Sequence, residues 1–430
     1  MSGLPSRIAS VALLTRILDH RQTLDEALSQ EERFSALEGP DRGFARAMTS
    51  AVLRYLGWID TAIAPHVKGR AFEELDGDVS HVLRIGVAQI CVLGTPLHAA
   101  VSETVESARY IDAARKAGGL INAVLRKIQP DTLEQLDMRP ASVWPGAFCD
   151  MLDEMIGVEA ADQLAGAALE IPPLDLTCPR DRKLWSERLG GLLIGPTSVR
   201  LSEGVVETLT GYEAGSWWVQ DVAATLPVQV LSPQRGERVL DLCAAPGGKT
   251  LQLASSGADV TALDRAAKRM RRVEQNLKRT QLEAKCVVAD ATKWTPDTLF
   301  DAVLVDAPCS ALGTLRRHPE GPWIKSASDL ERFPDIQLKL LQSAAKMVKP
   351  GGRLVYCVCT PLPREGVALV DRFISETEGW SRKQIATDSL SGFENCVTSE
   401  GDLLTLPQSF DDPGGCDAFF ICQLLRAGTD

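Results

Sequence analysis

The spacing of apolar residues along this chain changes twice. Over the first 130 residues Ile8, Val11, Ala12, Ile17 and Leu18 fall near helical spacing. Phe44, Ala47, Met48, Ala51, Val52 and Leu56 form one apolar stripe of a helix that Asp41 can cap. Residues 82–93 are apolar nearly all round, as the central helix of a bundle is. Pro96 breaks that helix, a further one begins near Ala100, and 120–128 make a last one before Pro130. Few alternating β-branched runs interrupt this pattern, so residues 1–130 are predicted to be all-helical.

From 131 to 215 the chain is punctuated by Pro140, Pro145, Pro172, Pro173 and Pro179. Helices are expected near 149–169 and over Arg182–Leu189, and short strands around Leu174–Thr177 and Ser198–Leu201, which together read as a small mixed linker domain. Over 216–430 short apolar runs alternate with helical stretches. Four runs each end in an aspartate: 238–240 into Asp241, 258–263 into Asp264, 284–289 into Asp290 and 302–305 into Asp306. Such alternation predicts an α/β domain with a doubly wound parallel sheet. Ligands of these sheets sit outside the carboxyl ends of the strands, so the four aspartates are expected to line that edge. Later strands are expected at 353–359, after the Pro350-Gly351-Gly352 turn, and at 419–425. There is no internal repeat.

Composition narrows the function classes. The 430 residues suggest several domains, at roughly 100–200 residues each. Lys plus Arg is 46 and Asp plus Glu is 57, a formal net charge of −11. That balance argues against coating nucleic acid by bulk charge and leaves room for local basic patches. Hydrophobic residues at 45% and charged residues at 24% exclude wholesale disorder. Eleven irregularly spaced cysteines point to reduced thiols and a cytoplasmic location. The absence of a C-x-x-C pair argues against a zinc knuckle, and no metal is expected. Residues 1–8 lack the apolar stretch of a secretory signal. Residues 85–102 carry no Asp, Glu, Lys or Arg, but Gln89, Thr95, Pro96 and His98 make them a buried helix and turn, not a membrane span.

Three clusters carry candidate chemistry. The run 241–250 (DLCAAPGGKT) follows a strand and opens a helix, where Gly247 and Gly248 allow close backbone approach. A P-loop needs glycine where Cys243 stands, and the dinucleotide fingerprint G-x-G-x-x-G is absent. A nucleoside-cofactor loop fits, with Asp264 at the end of the next strand as a ribose-binding acid. A ligand-free turn is the plain alternative. The second cluster is Asp306-Ala307-Pro308-Cys309-Ser310, followed by Arg316, Arg317 and His318; the third is Tyr356-Cys357-Val358-Cys359-Thr360. A free cysteine is usually a small buried hydrophobe. Two at neighbouring strand ends beside Lys249, Arg316 and Arg317 suggest reactive thiolates, because nearby cations lower a thiol pKa. The basic stretch Arg265, Lys268, Arg269, Arg271, Arg272, Lys278, Arg279 and Lys285 reads as a solvated helix face, or else as a strip facing RNA phosphates. Trp217, Trp218 and Trp323 are either core or stacking platforms.

These runs resemble the RNA 5-methylcytosine methyltransferases of the RsmB/Nol1/Nop2/Sun family, over 241–250, 306–310 with Arg316-Arg317-His318-Pro319, and 354–360. Trp218-Val219-Gln220-Asp221 resembles the lead-in to their catalytic domain. Arg54-Tyr55-Leu56, 86–89, 96–100, Glu103-Thr104-Val105-Glu106 and 119–126 look like a NusB-like RNA-binding domain. The resemblance implies a NusB-like domain over 1–130, a linker domain over 131–215 and a Rossmann-like methyltransferase domain over 216–430. It implies S-adenosylmethionine as cofactor, held by Cys243, Ala244, Ala245, Pro246, Gly247, Gly248, Lys249, Asp264, Arg269, Asp290 and Asp306. It also implies Cys359 as nucleophile and Cys309 as the thiol that assists product release, with Asp306 and Lys249 completing the catalytic set. The implied reaction is methylation of carbon 5 of a cytosine in small-subunit ribosomal RNA by a cytoplasmic monomer with no membrane partner. An RNA-binding assembly factor of the same fold and a transfer RNA methyltransferase are the alternatives. The chain departs from the family pattern at Val358, Thr360, Leu312, Glu320-Gly321-Pro322 and Arg364 with Gly366, none of which removes a catalytic group.

Overall fold

The structure is a computed structural model describing residues 3–410 and 413–428. Met1 and Ser2, which open the segment read for a leader, and residues 411, 412, 429 and 430 of the expected catalytic domain lie outside the described residues. The chain divides into two compact units: Met1–Glu170 with Leu315–Ala327, and Ile171–Thr314 with Ser328–Asp430. Residues 131–215, read from the sequence as one linker domain, are thus shared between the two. Among the described residues no helix is long and apolar enough to cross a membrane.

The first unit is helical. The long helix Gly39–Ile63 starts earlier than expected: Glu38 is at its N-cap and Pro40 lies in the first turn, where its fixed φ suits a helix. Asp41 therefore lies inside the helix and accepts a hydrogen bond from Ser6 Oγ (3.3 Å). Its buried face is Ala45, Met48, Val52, Leu56 and Ile59, and Ala47, expected inside, is exposed. The helix Gly77–Cys91 is buried on most sides and packs on Leu4–Leu14, Gly39–Ile63, Leu97–Ala108 and Gly118–Leu125, the central position expected for it. Pro96 does not end that helix but caps the start of the next, Leu97–Ala108. The 149–169 stretch is two helices, Gly146–Ile156 and Val158–Leu169, parted at Gly157 with φ 84°. The turn Pro140–Val143 docks on the long helix, where Trp58 Nε1 donates to Ser142 Oγ (2.8 Å). A Cβ on Gly57 would stand 2.4 Å from the Ser142 carbonyl oxygen, so only glycine admits that turn. The segment Leu315–Ala327 closes the same core: Glu320 accepts the Leu24 N–H (3.2 Å), Arg54 donates to the Arg316 carbonyl (2.7 Å), and Trp323 and Ile324 pack on the bundle.

The second unit holds two sheets. Strands β1 (Leu174–Thr177), β2 (Leu192–Ile194), β3 (Ser198–Leu201) and β4 (Trp218–Val219) form an antiparallel sheet in the order β2-β3-β1-β4. Trp217 and Trp218 are buried there as core residues. The large sheet contains β5 (Arg238–Leu242), β6 (Asp259–Asp264), β7 (Lys285–Val288), β8 (Phe300–Asp306), β9 (Val348–Val358), β10 (Trp380–Lys383), β11 (Leu403–Thr405) and β12 (Phe419–Arg426). Its order is β10-β12-β9-β8-β5-β6-β7, with β11 on β12. From β9 to β7 every pair is parallel, and β12 joins antiparallel. Alternate residues of each strand feed two cores. Val303, Val305, Leu354 and Tyr356 pack toward the helix Phe333–Ala345, and Ala302, Leu304, Val355 and Cys357 toward the helix Val222–Leu231. Strand order reverses between β5 and β8, the switch point where such sheets open a crevice. β9 begins at Val348, so the Pro350-Gly351-Gly352 segment belongs to the strand and not to a turn before it, and Cys359 falls one residue past its end.

Candidate active site

The crevice at the carboxyl ends of the parallel strands holds a cavity of about 460 Å³. Asp264 ends β6, Asp306 ends β8, and Asp290 follows β7; all three line the cavity, with Cys243 and Ala245 from the loop after β5. Asp241 does not, although its run also ends in that edge. Asp241 pairs in register with Ala262 and Leu304, so it lies on the same face as Asp264 and Asp306 but two residues deeper in the sheet, and its carboxylate accepts a hydrogen bond from Thr250 (2.6 Å). Burial pushes its pKa up to about 7.

Asp264 is held rigidly. Its two oxygens accept from the N–H groups of Ala245 (3.3 Å) and Ala266 (2.9 Å), and Arg269 stands 3.4 Å away. Arg269 also donates to the Ala245 carbonyl (2.6 Å), tying the helix Ala267–Thr280 to the loop. Asp290 is exposed, and its bonds to the Thr292 side chain and backbone draw its pKa down. Cys243 is buried enough for its thiol to rise to about 12, so it faces the cavity as a neutral group.

Of the loop residues expected to hold a cofactor, Ala244, Pro246, Gly247, Gly248 and Lys249 are not in the cavity lining. Ala244 bonds the Leu263 carbonyl (3.1 Å), and the Pro246 carbonyl accepts from Asn276 (3.3 Å). Gly247, at φ 111°, leaves room for Val273, and Gly248 for Gln220. These glycines serve packing of the turn. Lys249 lies behind Asp306, its Nζ 2.8 Å from Oδ2 and 5.2 Å from the Phe419 ring centre. Burial opposes its charge, but attraction to Asp306 and the nearby Cys357 and Cys359 outweigh burial, so the ammonium is held above its ordinary pKa.

Cys309 and Cys359 both line the cavity, with their sulfurs 3.3 Å apart. The hydrogen bond to Cys359 and then burial raise the Cys309 pKa well above the usual thiol value, so Cys309 keeps its proton. Cys357 is fully buried, and burial raises its pKa well above the usual value, leaving it outside the chemistry. Lys249 is a cation near Cys359. Arg316 and Arg317, expected to share that role, belong to the segment 315–327 of the helical unit. Ile336, Lys339 and Leu340 also line the cavity from the helix Phe333–Ala345. They went unread in the sequence, where spacing of three and four along a helix was the sole signal. Of the basic stretch, Arg265 and Arg269 reach the cavity.

Comparison with known proteins matches this geometry to a class. The model of the 16S rRNA methyltransferase RsmB/F family matches residues 228–425, and that of the NusB family residues 4–130. The chain belongs to the RsmB/F family of ribosomal RNA methyltransferases. It is 32% identical to the ribosomal RNA small subunit methyltransferase B of Pseudomonas putida, over 98% of each chain. It is 33% identical to that of Vibrio vulnificus, over 86% of this chain and 91% of the relative. Among solved structures, PH0851 superposes with a TM-score of 0.75 over 98% of both chains at 23% identity. NSun6 from Pyrococcus horikoshii with SFG gives a TM-score of 0.57 over 66% of this chain and 99% of the other, at 19% identity.

Proposed function

We propose that this protein methylates carbon 5 of a cytosine in small-subunit ribosomal RNA, through a transient bond between Cys359 and carbon 6. The observation that carries the reading is the thiol pair, 3.3 Å apart, beside a carboxylate held by a buried lysine. S-adenosylmethionine fits the cavity. Asp264 suits the ribose hydroxyls and Asp290 the adenine edge. When bound there, it supplies an electrophilic methyl group.

Carbon 5 of cytosine is a poor nucleophile. Addition of the Cys359 thiolate to carbon 6 moves an electron pair toward the ring nitrogen, which takes up a proton from water, and the Asp306 carboxylate accepts a hydrogen bond from the N–H so formed. The resulting enamine makes carbon 5 nucleophilic. Lys249 fixes the Asp306 carboxylate from behind. After methylation, the carbon 5 proton departs to water and the Cys359 thiolate is expelled. The protonated Cys309 stands at hydrogen-bonding distance to stabilise that leaving thiolate. The base must be unstacked to reach the cavity, so an exposed loop cytosine suits the enzyme.

The test is transfer of labelled methyl to unmodified small-subunit ribosomal RNA. Wild type is expected to form 5-methylcytosine and Cys359→Ala none. Cys309→Ala is expected to leave an RNA adduct that survives denaturing electrophoresis. Normal methylation by both variants would sink the two-thiol mechanism. Absence of label with wild type would favour an assembly factor of the same fold.

A further inference from the structure

The two thiols lie 50 residues apart in sequence, and something must hold them within hydrogen-bonding distance. β8 and β9 bring them near, since Asp306 pairs in register with Cys357. Both cysteines, however, lie past the strand ends, where the ladder no longer fixes the backbone. One residue beyond each thiol is a fully buried hydroxyl, Ser310 and Thr360, and the two oxygens are 2.9 Å apart. The Ser310 N–H donates to Glu365 Oε2 (2.9 Å). Gln337 Nε2 donates both to that oxygen (2.8 Å) and to the Pro308 carbonyl (3.0 Å). Cys309 is therefore gripped on each side by one carboxylate–amide pair. Across the gap, the Gly313 N–H donates to the Cys359 carbonyl (2.9 Å).

This arrangement is expensive in stability. Glu365 is fully buried, and its Oε1 has no hydrogen-bond partner among the described residues. A buried acid side chain with an unmet oxygen costs stability. A well-packed apolar side chain would hold the fold more cheaply, but it could not grip a backbone N–H. What the buried polar cluster secures is the placement of two sulfurs.

We propose that Ser310, Thr360, Gln337 and Glu365 are positioning residues that set the Cys309–Cys359 distance, and that this distance governs how fast the covalent RNA intermediate is released. The inference rests on the function proposed above. A hydrogen bond from the Cys309 thiol to a departing thiolate weakens steeply as the sulfurs separate. Addition and methyl transfer need only Cys359, so loss of the clamp acts on release and leaves RNA binding alone.

The experiment uses the full-length protein with Ser310→Ala, Thr360→Val, Thr360→Ser and the double variant Ser310→Ala/Thr360→Val, each checked for folding by thermal melting. The first readout needs no RNA. Diamide, which removes two electrons and two protons from a thiol pair, joins Cys309 to Cys359, and the linked tryptic peptide is counted against time. The second readout is the RNA adduct surviving denaturing electrophoresis, beside kcat and KM for 5-methylcytosine formation. Thr360→Val is expected to link about 10-fold more slowly, to accumulate adduct, and to lose about 10- to 100-fold in kcat with KM for RNA falling in proportion, so that kcat/KM holds, since only a step after methyl transfer is slowed. Thr360→Ser keeps the hydroxyl and is expected to match wild type in both readouts. The double variant is expected to be no worse than either single one, since both delete the same bond. If Thr360→Val does not fold, the smaller change Ser310→Ala carries the same expectation. Folded variants that link and release like wild type overturn the proposal. Should wild type form no 5-methylcytosine, the diamide rates still decide on the clamp, and it is the proposed function that falls.

Discussion

Burial lifts the Asp241 carboxyl to about 7, so at pH 5 the folded protein holds a proton that the unfolded chain has released. The group's contribution to stability is complete below its unfolded pKa and is lost as pH rises through 7. Melting temperatures of wild type and Asp241→Asn, taken from pH 4 to 9, are expected to show it. Wild type loses ground to the variant between pH 4 and 7, and the difference levels off above 7. A constant difference would mean that the carboxyl stays charged. Asp241 also marks how far the sequence could be read at this scale. Four strand-ended aspartates looked equivalent, yet three line the cavity. All three strand aspartates share a face, but the register sets Asp241 level with Ala262 and Leu304, two residues below Asp264 and Asp306. The Ser310–Thr360 contact was hidden for a related reason. It depends on the register between β8 and β9, which neither run states by itself.

Among elements, the parallel sheet was legible because strands buried on both faces read as continuous apolar runs. The edge strands β10 and β11, and β2 and β4 of the small sheet, were not. They are short, and Trp380–Lys383 alternates exposed polar residues with one buried tryptophan. The helix boundaries in the first unit shifted where proline acted as a starter and not a breaker, at Pro40 and Pro96. The docking of Pro140–Val143 on the helix Gly39–Ile63 was also unreadable, because it hinges on the single missing Cβ at Gly57. Gly57→Ala places a methyl group 2.4 Å from a backbone carbonyl oxygen. Alanine gains up to about 1 kcal/mol in helix propensity, while overpacking costs about 1–3 kcal/mol, so a net loss is expected. Calorimetry of the variant should find a lower melting temperature, and an unchanged one would show that the turn can back away.

For the whole molecule, the main departure from the sequence reading is that residues 315–327 count with the helical unit. The altered Glu320-Gly321-Pro322-Trp323 run acquires a structural account from this. Glu320 is buried, takes the Leu24 N–H, and pairs with His318 at 3.6 Å, while Trp323 and Ile324 cover the bundle. A fragment of residues 1–170 therefore lacks part of its core. It is expected to melt below the same fragment supplied with a synthetic 315–327 peptide, and a peptide without effect would show that the bundle is complete by itself.

That segment also sets an order of events during synthesis. The ribosome delivers the helical half first, yet Leu24, Arg54 and the surface that Trp323 and Ile324 cover wait for partners made nearly 150 codons after Glu170. By then β5 to β8, with Asp264, Asp290, Asp306 and Cys309, have already been synthesised. The half that starts first thus finishes late, and a nascent chain stalled before residue 315 carries an unfinished bundle for a chaperone to find.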